Sequence, residues 1–317
     1  MNLHDVAAAF RAALPAGEPV HCFRIDALDR LGIPVVEAAL LPSDGTPSTI
    51  GYGYGFEAIE AEVGALGELC EEIHVEQWVA QAPRTVASHA ELVRTRGARH
   101  VADPLTLCLP AGSDWTPDTV LPWVEARRHP SGESVLVPVE WVAAYPYQMR
   151  ETPRLIMPIT NGLGAGFDLE HAIAHGVMEL LQRDGNAVSY RALDQGVVVE
   201  PDAADAQTTA LLAKLRALGI GVTAKLAADD FGIPNLYVIG DDPQAAIPIQ
   251  LTACGEAAHP DRARSLRKAL LEFCGSRARK TSAHGPLAEV RRVMPRHMMD
   301  RQLAAALRDL QEERAVN

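Results

Sequence analysis

The sequence predicts an α+β fold in which mixed or antiparallel sheets pack against long helices, and three observations carry that prediction. Short apolar runs arrive in hairpin-like succession, where a regular βαβ winding would place them singly between helices. Three long helical stretches stand among them. One scheme also recurs: strands, a glycine-bearing turn, then a long helix carrying Glu, at 48–80 and again at 154–192, with a third helix at 261–282 repeating part of it.

Taken in order, MNLHDVAAAFRAALPAG carries an early acidic residue and lacks a basic n-region with a long apolar core, so it reads as an amphipathic helix and not a signal peptide. VHCFRIDAL, IPVVEAALL and STIGYG, punctuated by LGIP and PSDGTP, read as strands of a meander. A helix follows from about Phe56 to Ala80. Between 81 and 150 the pattern is irregular and rich in Pro and Trp, with two strands placed around the turn HPSGES. RLIMPI, 154–159, reads as a buried strand leading into NGLGAGFDLEHAIAHGVMELLQRD, which passes through three glycines into a helix from about Asp168 to Ala192. The stretch DAADAQTTALLAKLRALG is a helix ending at Gly219, where glycine can take the left-handed cap conformation. Strands GIGVTAKLA, PNLYVIG and AIPIQLTACG come next, then a helix over Asp261 to Ser282, the segment HGPLAEVRRVMP and a charged last helix. The expected organisation is a single domain over 1–317: a first strand and helix half to 80, an insert at 81–150, a second half at 151–285 and a helical tail at 286–317.

Composition narrows the function classes. At 317 residues and 48% apolar content, with charges scattered, the chain is an ordinary globular protein with a substantial core. A net charge of -12 argues against general affinity for nucleic acid or anionic membrane, because phosphate binding is supplied mostly by Lys and Arg. Cys22, Cys70, Cys108, Cys254 and Cys274 are odd in number, far apart and form no CxxC pair, which disfavours a disulfide framework or a thiolate zinc site. No apolar stretch approaches the roughly 20 residues needed to span a bilayer. The expected compartment is the cytoplasm.

Gly162, Gly164 and Gly166 are evenly spaced, and Phe167 occupies the position where a dinucleotide fingerprint wants its third glycine. No GxxxxGK[ST] exists, which excludes a P-loop. The helices after the glycine turns say more. Glu68 and Glu71 lie three apart on one helical face, and Glu179 and Gln182 repeat that spacing with Arg183 beside them. Ala65, Leu66, Val177, Leu180 and Leu181 make these helices largely apolar, so burial of both is expected. Two carboxylates about 5 Å apart repel by roughly 3 kcal/mol at an effective dielectric of 20. A cluster of them implies bound cations or protons, and Mg2+ typically bridges carboxylates to nucleotide phosphates.

The blocks GYGFEAIEAEVGALGELCEE, TNGLGAGFDLEHAIAHGVMELLQRD and GEAAHPDRARSLRKALLEFCGSR resemble, in order and spacing, the three signature blocks of the YcaO family, over about residues 20 to 285. The resemblance implies ATP use without a P-loop, with helical glutamates holding Mg2+, metals holding the triphosphate and arginines completing the site. It implies activation of a peptide backbone amide by phosphorylation of its oxygen, leading to an azoline, a thioamide or an amidine. Matched position by position, Glu68, Glu71 and Glu179 would be Mg2+ ligands, and Asn161, Gln182, Arg183 and Arg277 would bind ATP; the resemblance assigns no other catalytic residue. The sequence departs from the family pattern at Tyr54, Gly64, Glu72, Phe167, His171, Gln182 and Gly275, which replace Lys, Ser, Arg, Asn, Glu, Glu and Gln respectively. The implied partners are a precursor peptide or protein and a separate leader-recognition or accessory protein, with a homodimer compatible and nucleic acid and membrane excluded.

Two other readings stay open. One is a non-catalytic scaffold of the same fold that presents a precursor peptide or binds a partner enzyme. The other is a transition-metal hydrolase built on His171, His175 and Glu179, although eight residues of helix span about 12 Å, too far for all three to reach one ion without a bend.

Overall fold

The computed structural model describes residues 2–42, 49–145, 155–187, 196–201 and 205–316. In chain order the elements are α1 (Leu3–Ala13), β1 (Val20–Arg24), β2 (Val35–Leu40), β3 (Thr49–Tyr54), α2 (Ala58–Gln81), β4 (Thr85–Ser88), α3 (His89–Arg96), β5 (Val120–Arg127) and β6 (Ser134–Pro138). They continue with α4 (Leu169–Gly185), β7 (Val197–Val199), α5 (Ala206–Ala217), β8 (Gly221–Ala228), β9 (Asn235–Asp241), β10 (Thr252–Ala258), α6 (Arg262–His284), α7 (Leu287–Val290) and α8 (Arg296–Val316). All strand pairs within the three sheets are antiparallel, in the orders β1-β2-β3, β4-β5-β6 and β10-β9-β8-β7. The α+β architecture of antiparallel sheets with long helices is therefore the one the sequence predicts.

Contacts divide the chain into two compact units, 1–70 with 161–317 and 71–160. The helix α2 runs through the boundary. In the first unit the sheet β10-β9-β8-β7 packs on α6, whose Leu266, Ala269, Leu270 and Phe273 form a core with Leu236 and Val238. Its other sheet pairs Tyr52 with Glu37 and Gly51 with Ala38 in register. The second unit closes its own core around Trp123, Leu121, Ala87 and Leu92, with the Trp123 indole N–H donated to the Ala87 carbonyl at 3.0 Å.

Local chemistry sets the helix starts. Asp168 caps α4 by accepting from the His171 amide at 2.8 Å, Asp205 caps α5 through Thr208, and Asp261 caps α6 through Ala263 and Arg264. At the head of α2, Glu60 reaches back to the amides of Phe56 and Glu57. Gly219 closes α5 at φ +70, as its position predicts.

Two strand expectations fail for physical reasons. Over 155–160 there is no strand: the amides of Leu155 and Ile156 donate to Glu140 Oε2 at 2.8 and 3.0 Å, so a side chain takes the donors a ladder would have used, and Met157 and Ile159 are exposed. Arg154 and the end of the α4 helix beyond 187 lie outside the described residues. In AIPIQLTACG, Pro248 opens a tight helical turn over Pro248–Gln250, and β10 begins only at Thr252.

Candidate functional site

Three helices carry a glutamate 17 residues after a glycine: Gly51 and Glu68, Gly162 and Glu179, Gly255 and Glu272. Around each of these glycines the helix lies unusually close to the segment preceding it. A Cβ on Gly51 would stand 2.3 Å from the Ala65 carbonyl oxygen, and one on Gly255 would stand 2.2 Å from that of Ala269. In the third case the close contact runs from Gly164 and Gly176, where added Cβ atoms would stand 2.1 Å from the Ala172 oxygen and 2.4 Å from the Gly162 oxygen. Of the three loop glycines only Gly162 has positive φ, at +84; the other two are required by close approach.

That approach delivers each carboxylate to a backbone amide. The Tyr52 N–H donates to Glu68 Oε2, the Gly162 N–H to Glu179 Oε2 at 3.1 Å, and the Glu256 N–H to Glu272 Oε2 at 3.0 Å. Arg183 joins Glu179 to two neighbours. Its Nη2 donates to Glu179 Oε1 at 3.2 Å, its Nε to Asn161 Oδ1 at 3.2 Å and its Nη1 to Glu256 Oε1. Of the residues the sequence singled out, Glu68, Asn161, Glu179 and Arg183 thus engage this framework.

Charge is crowded there. Burial, reinforced by Glu256, pushes the Glu272 carboxyl up to about 7, against the Glu256 amide and the charges of Arg279 and Arg183. Burial and then Glu272 and Glu68 push the Tyr54 phenol well up, opposed by Arg279 and Arg183. The Tyr54 ring lies over Gly275, where a Cβ would stand 2.8 Å from Cδ1. The ring takes the room that a side chain at 275 would need. Lys268 is exposed; the crowding of its ammonium by surrounding protein lowers its pKa, while Glu272 and Glu179 pull it up.

The other predicted residues make different contacts. Arg277 is 0% exposed, and its guanidinium donates to Asp29 at 2.8 and 2.9 Å, to Asp242 at 2.8 Å and to the Gln250 carbonyl at 2.9 Å. Its donors are consumed inside the protein, which does not suit the phosphate role expected of it. Gln182 accepts from Asn235 Nδ2 through its carbonyl at 2.9 Å, and its side-chain amide makes no hydrogen bond among the described residues. Glu71 falls in the second unit near Glu72, whose pKa is raised by burial first and then by Glu71 and Glu76, with the Tyr145 hydroxyl opposing. The helix α4 is less buried than its composition predicts, since Val177 and Leu180 are 44% and 49% exposed.

His171 accepts from the Phe167 amide through Nδ1 at 3.4 Å and stacks on the Phe167 ring, 4.7 Å between centroids and 8° from parallel. Among the described residues no group of three His, Cys, Asp or Glu side chains could hold a metal ion, so the His171, His175 and Glu179 arrangement makes no chelate. Hard oxygen donors are nevertheless what the site offers. Mg2+ needs only one or two carboxylates when phosphates and waters complete its shell, so the residues fit that ion in kind.

Glu256, Glu272, Lys268 and Arg279 escape a motif-by-motif reading. The signal that would have found Glu272 is the shared interval of 17 residues from a glycine, visible only when all three segments are aligned with one another.

The chain is 32% identical over 262 residues to an uncharacterised protein of Methanothermobacter thermautotrophicus, covering 81% of this chain and 64% of that one. It thus spans somewhat less than two thirds of that relative's length. Among solved structures it resembles a heterocyclase in complex with substrate and cofactor (TM-score 0.68, 18% identity, 87% of this chain and 40% of that one). It also resembles the YcaO protein from Methanopyrus kandleri bound with AMPPCP and Mg2+ (TM-score 0.60, 19% identity, 90% and 69%). No helix among the described residues is long and apolar enough to cross a membrane. The model of the YcaO cyclodehydratase family, described as ATP- and Mg2+-binding, matches residues 52–316, and the chain belongs to the YcaO family.

Proposed function

We propose that the protein uses ATP and Mg2+ to activate a backbone amide of a peptide or protein substrate. The observation that carries this reading is the pairing of Glu179 and Glu256 with Arg183 beside Glu272, with Glu68, Glu179 and Glu272 each brought to a backbone amide by one repeated glycine–helix contact. So many carboxylates in a confined space favour a bound cation. Of Glu68, Glu179 and Glu272, one or two would hold a given Mg2+ together with phosphate and water, and a bound Mg2+ supplies charge neutralisation and orientation of the triphosphate. Arg183 keeps Glu179 and Glu256 fixed and turns the Asn161 carboxamide, so that the carboxylates do not reorganise when ligand enters. Glu71, Asn161 and Gln182 remain proposed contacts on the strength of the family motif.

In the reaction the amide oxygen attacks the γ-phosphorus, ADP leaves, and the O-phosphorylated amide carbon accepts a nucleophile. The nucleophile gives up a proton and phosphate leaves; the azoline also loses the amide N–H proton, which a thioamide keeps. A Cys, Ser or Thr side chain gives an azoline, external sulfur a thioamide and an amine an amidine. The substrate is a ribosomally made precursor peptide or a protein, presented with an accessory protein. Mass spectrometry of a candidate precursor after incubation with the protein, ATP and accessory protein tests this. Loss of one water marks cyclodehydration, and replacement of oxygen by sulfur marks thioamidation. Unchanged substrate mass, with no ATP consumed, counts against it.

One observation favours the scaffold reading: no ready-made set of three metal ligands exists among the described residues, and the Arg183 donors are spent on protein groups. A scaffold binds precursor peptide without Mg2+-dependent nucleotide binding.

A further inference from the structure

Two arginines lie two residues apart on α6 and meet different surroundings. Arg277 is enclosed by Asp29, Asp242 and the Gln250 carbonyl. Arg279, about 200° further round the helix, is exposed and stands over the Tyr52 ring, 5.6 Å from Cζ to the centroid. Among the described residues Arg279 donates no hydrogen bond and forms no ion pair, so its N–H fork is unspent. It nevertheless belongs to the carboxylate framework. Lys268, Glu272, Gly275 and Arg279 follow one another at intervals of four, three and four residues, which aligns them along one face of α6. Its stacking partner, Tyr52, is the residue whose amide holds Glu68. Its charge also reaches Glu272 and Tyr54.

An arginine held on an aromatic face keeps its direction while leaving its donors free, and that planar fork matches phosphate oxygens two at a time. Arg183, the other guanidinium of the framework, is occupied by Glu179, Glu256 and Asn161. We infer that Arg279, held on Tyr52, is the arginine of α6 that binds the phosphate chain of the nucleotide, in the place where the family motif would have put Arg277. The inference rests on the proposed ATP-dependent function and adds to it a residue the motif does not contain. Tyr52 acts as a positioning residue: its ring sets the guanidinium plane.

Calorimetric titration of the full-length protein with ATP, ADP and AMP, each with Mg2+, tests it. Arg279→Ala is expected to weaken ATP binding by roughly ten- to a hundred-fold, the range for a hydrogen bond to a charged group, and to leave AMP binding within two-fold. Arg279→Lys restores part of the loss, because it returns the charge without the fork. Tyr52→Phe keeps ATP affinity and Tyr52→Ala lowers it several-fold. Thermal denaturation of Arg279→Ala should match the wild type, since no hydrogen bond is removed. ATP binding by Arg279→Ala equal to that of the wild type, or equal losses for ATP and AMP, overturns the inference and leaves the proposed function standing. A wild-type protein that binds no ATP with Mg2+ overturns both.

Discussion

Arg277 lies between Asp29 and Asp242, with Arg30 on the far side of Asp242, and this chain of charges links the loop after β1 to α6 and the end of β9. Burial alone would raise the Asp242 pKa, but the hydrogen bonds from Arg30 and Arg277 bring it below its usual value. Removing one member of such a buried set leaves an uncompensated charge, at a cost of about 3–5 kcal/mol. Arg277→Met is therefore expected to lower unfolding free energy by that order, measured by urea denaturation. Arg277→Lys should not restore it, because a single ammonium cannot serve two carboxylates and a carbonyl in those directions. A stable Arg277→Met protein that has lost only ATP binding would contradict this placement. Nothing in local spacing reveals the enclosure, since Asp29 and Asp242 lie 248 and 35 residues away.

Glu37, on β2, is the second residue whose environment sets a measurable property. It is 1% exposed, accepts one hydrogen bond from the Ser282 hydroxyl, and burial raises its pKa to about 7 from 4.5. The native carboxyl therefore holds its proton where the unfolded one has lost it. Its contribution to stability is full below about pH 4.5 and is lost as pH rises through 7, by at most about 3 kcal/mol. The expected result is that Glu37→Gln flattens the fall in unfolding free energy between pH 5 and 8. An unchanged slope would show that Glu37 does not titrate in that window.

At the scale of elements, the repeated unit is a glycine, a helix backbone pressed on it, and a glutamate returned to a strand or loop amide. Gly255 sits under α6 where a Cβ would meet the Ala269 oxygen and the Phe273 nitrogen, each at 2.2 Å. Gly255→Ala must push α6 away from β10, at an expected cost of about 1–3 kcal/mol or more. Gly67, in mid α2, is the control: a Cβ there meets nothing nearer than Phe10 at 3.7 Å, so Gly67→Ala should be neutral or stabilise by up to about 1 kcal/mol through helix propensity. Equal effects of the two substitutions, read by thermal melts, would remove the basis for the close-approach reading. The three strands before α2 and the helices α2, α4 and α6 were readable from their apolar patterns and the turns between them. RLIMPI was not, because its apolar pattern says nothing about Glu140 capturing the amides of Leu155 and Ile156.

At the scale of the whole molecule, three segments far apart in the chain bring Glu68, Glu179 and Glu272 into equivalent settings, each carboxylate fixed by a backbone amide. Two of these glutamates and Arg183 could be read from the ordered sequence blocks. Glu256 could not, because it points into the framework from a β-strand with no helical motif around it, and Arg279 could not, because only the enclosure of Arg277 leaves it as the free guanidinium on this face of α6. The first unit alone contains the framework from Glu68 to Arg279. The most direct measurement is ATP binding by calorimetry, with and without Mg2+, for the wild type and Glu179→Gln. Binding that requires Mg2+ and is lost or weakened at least roughly ten-fold in Glu179→Gln, the range for a charged hydrogen-bonding group, is the expected result. No Mg2+-dependent binding by the wild type, or binding indifferent to Glu179→Gln, would contradict the assignment of this carboxylate framework as the ATP site.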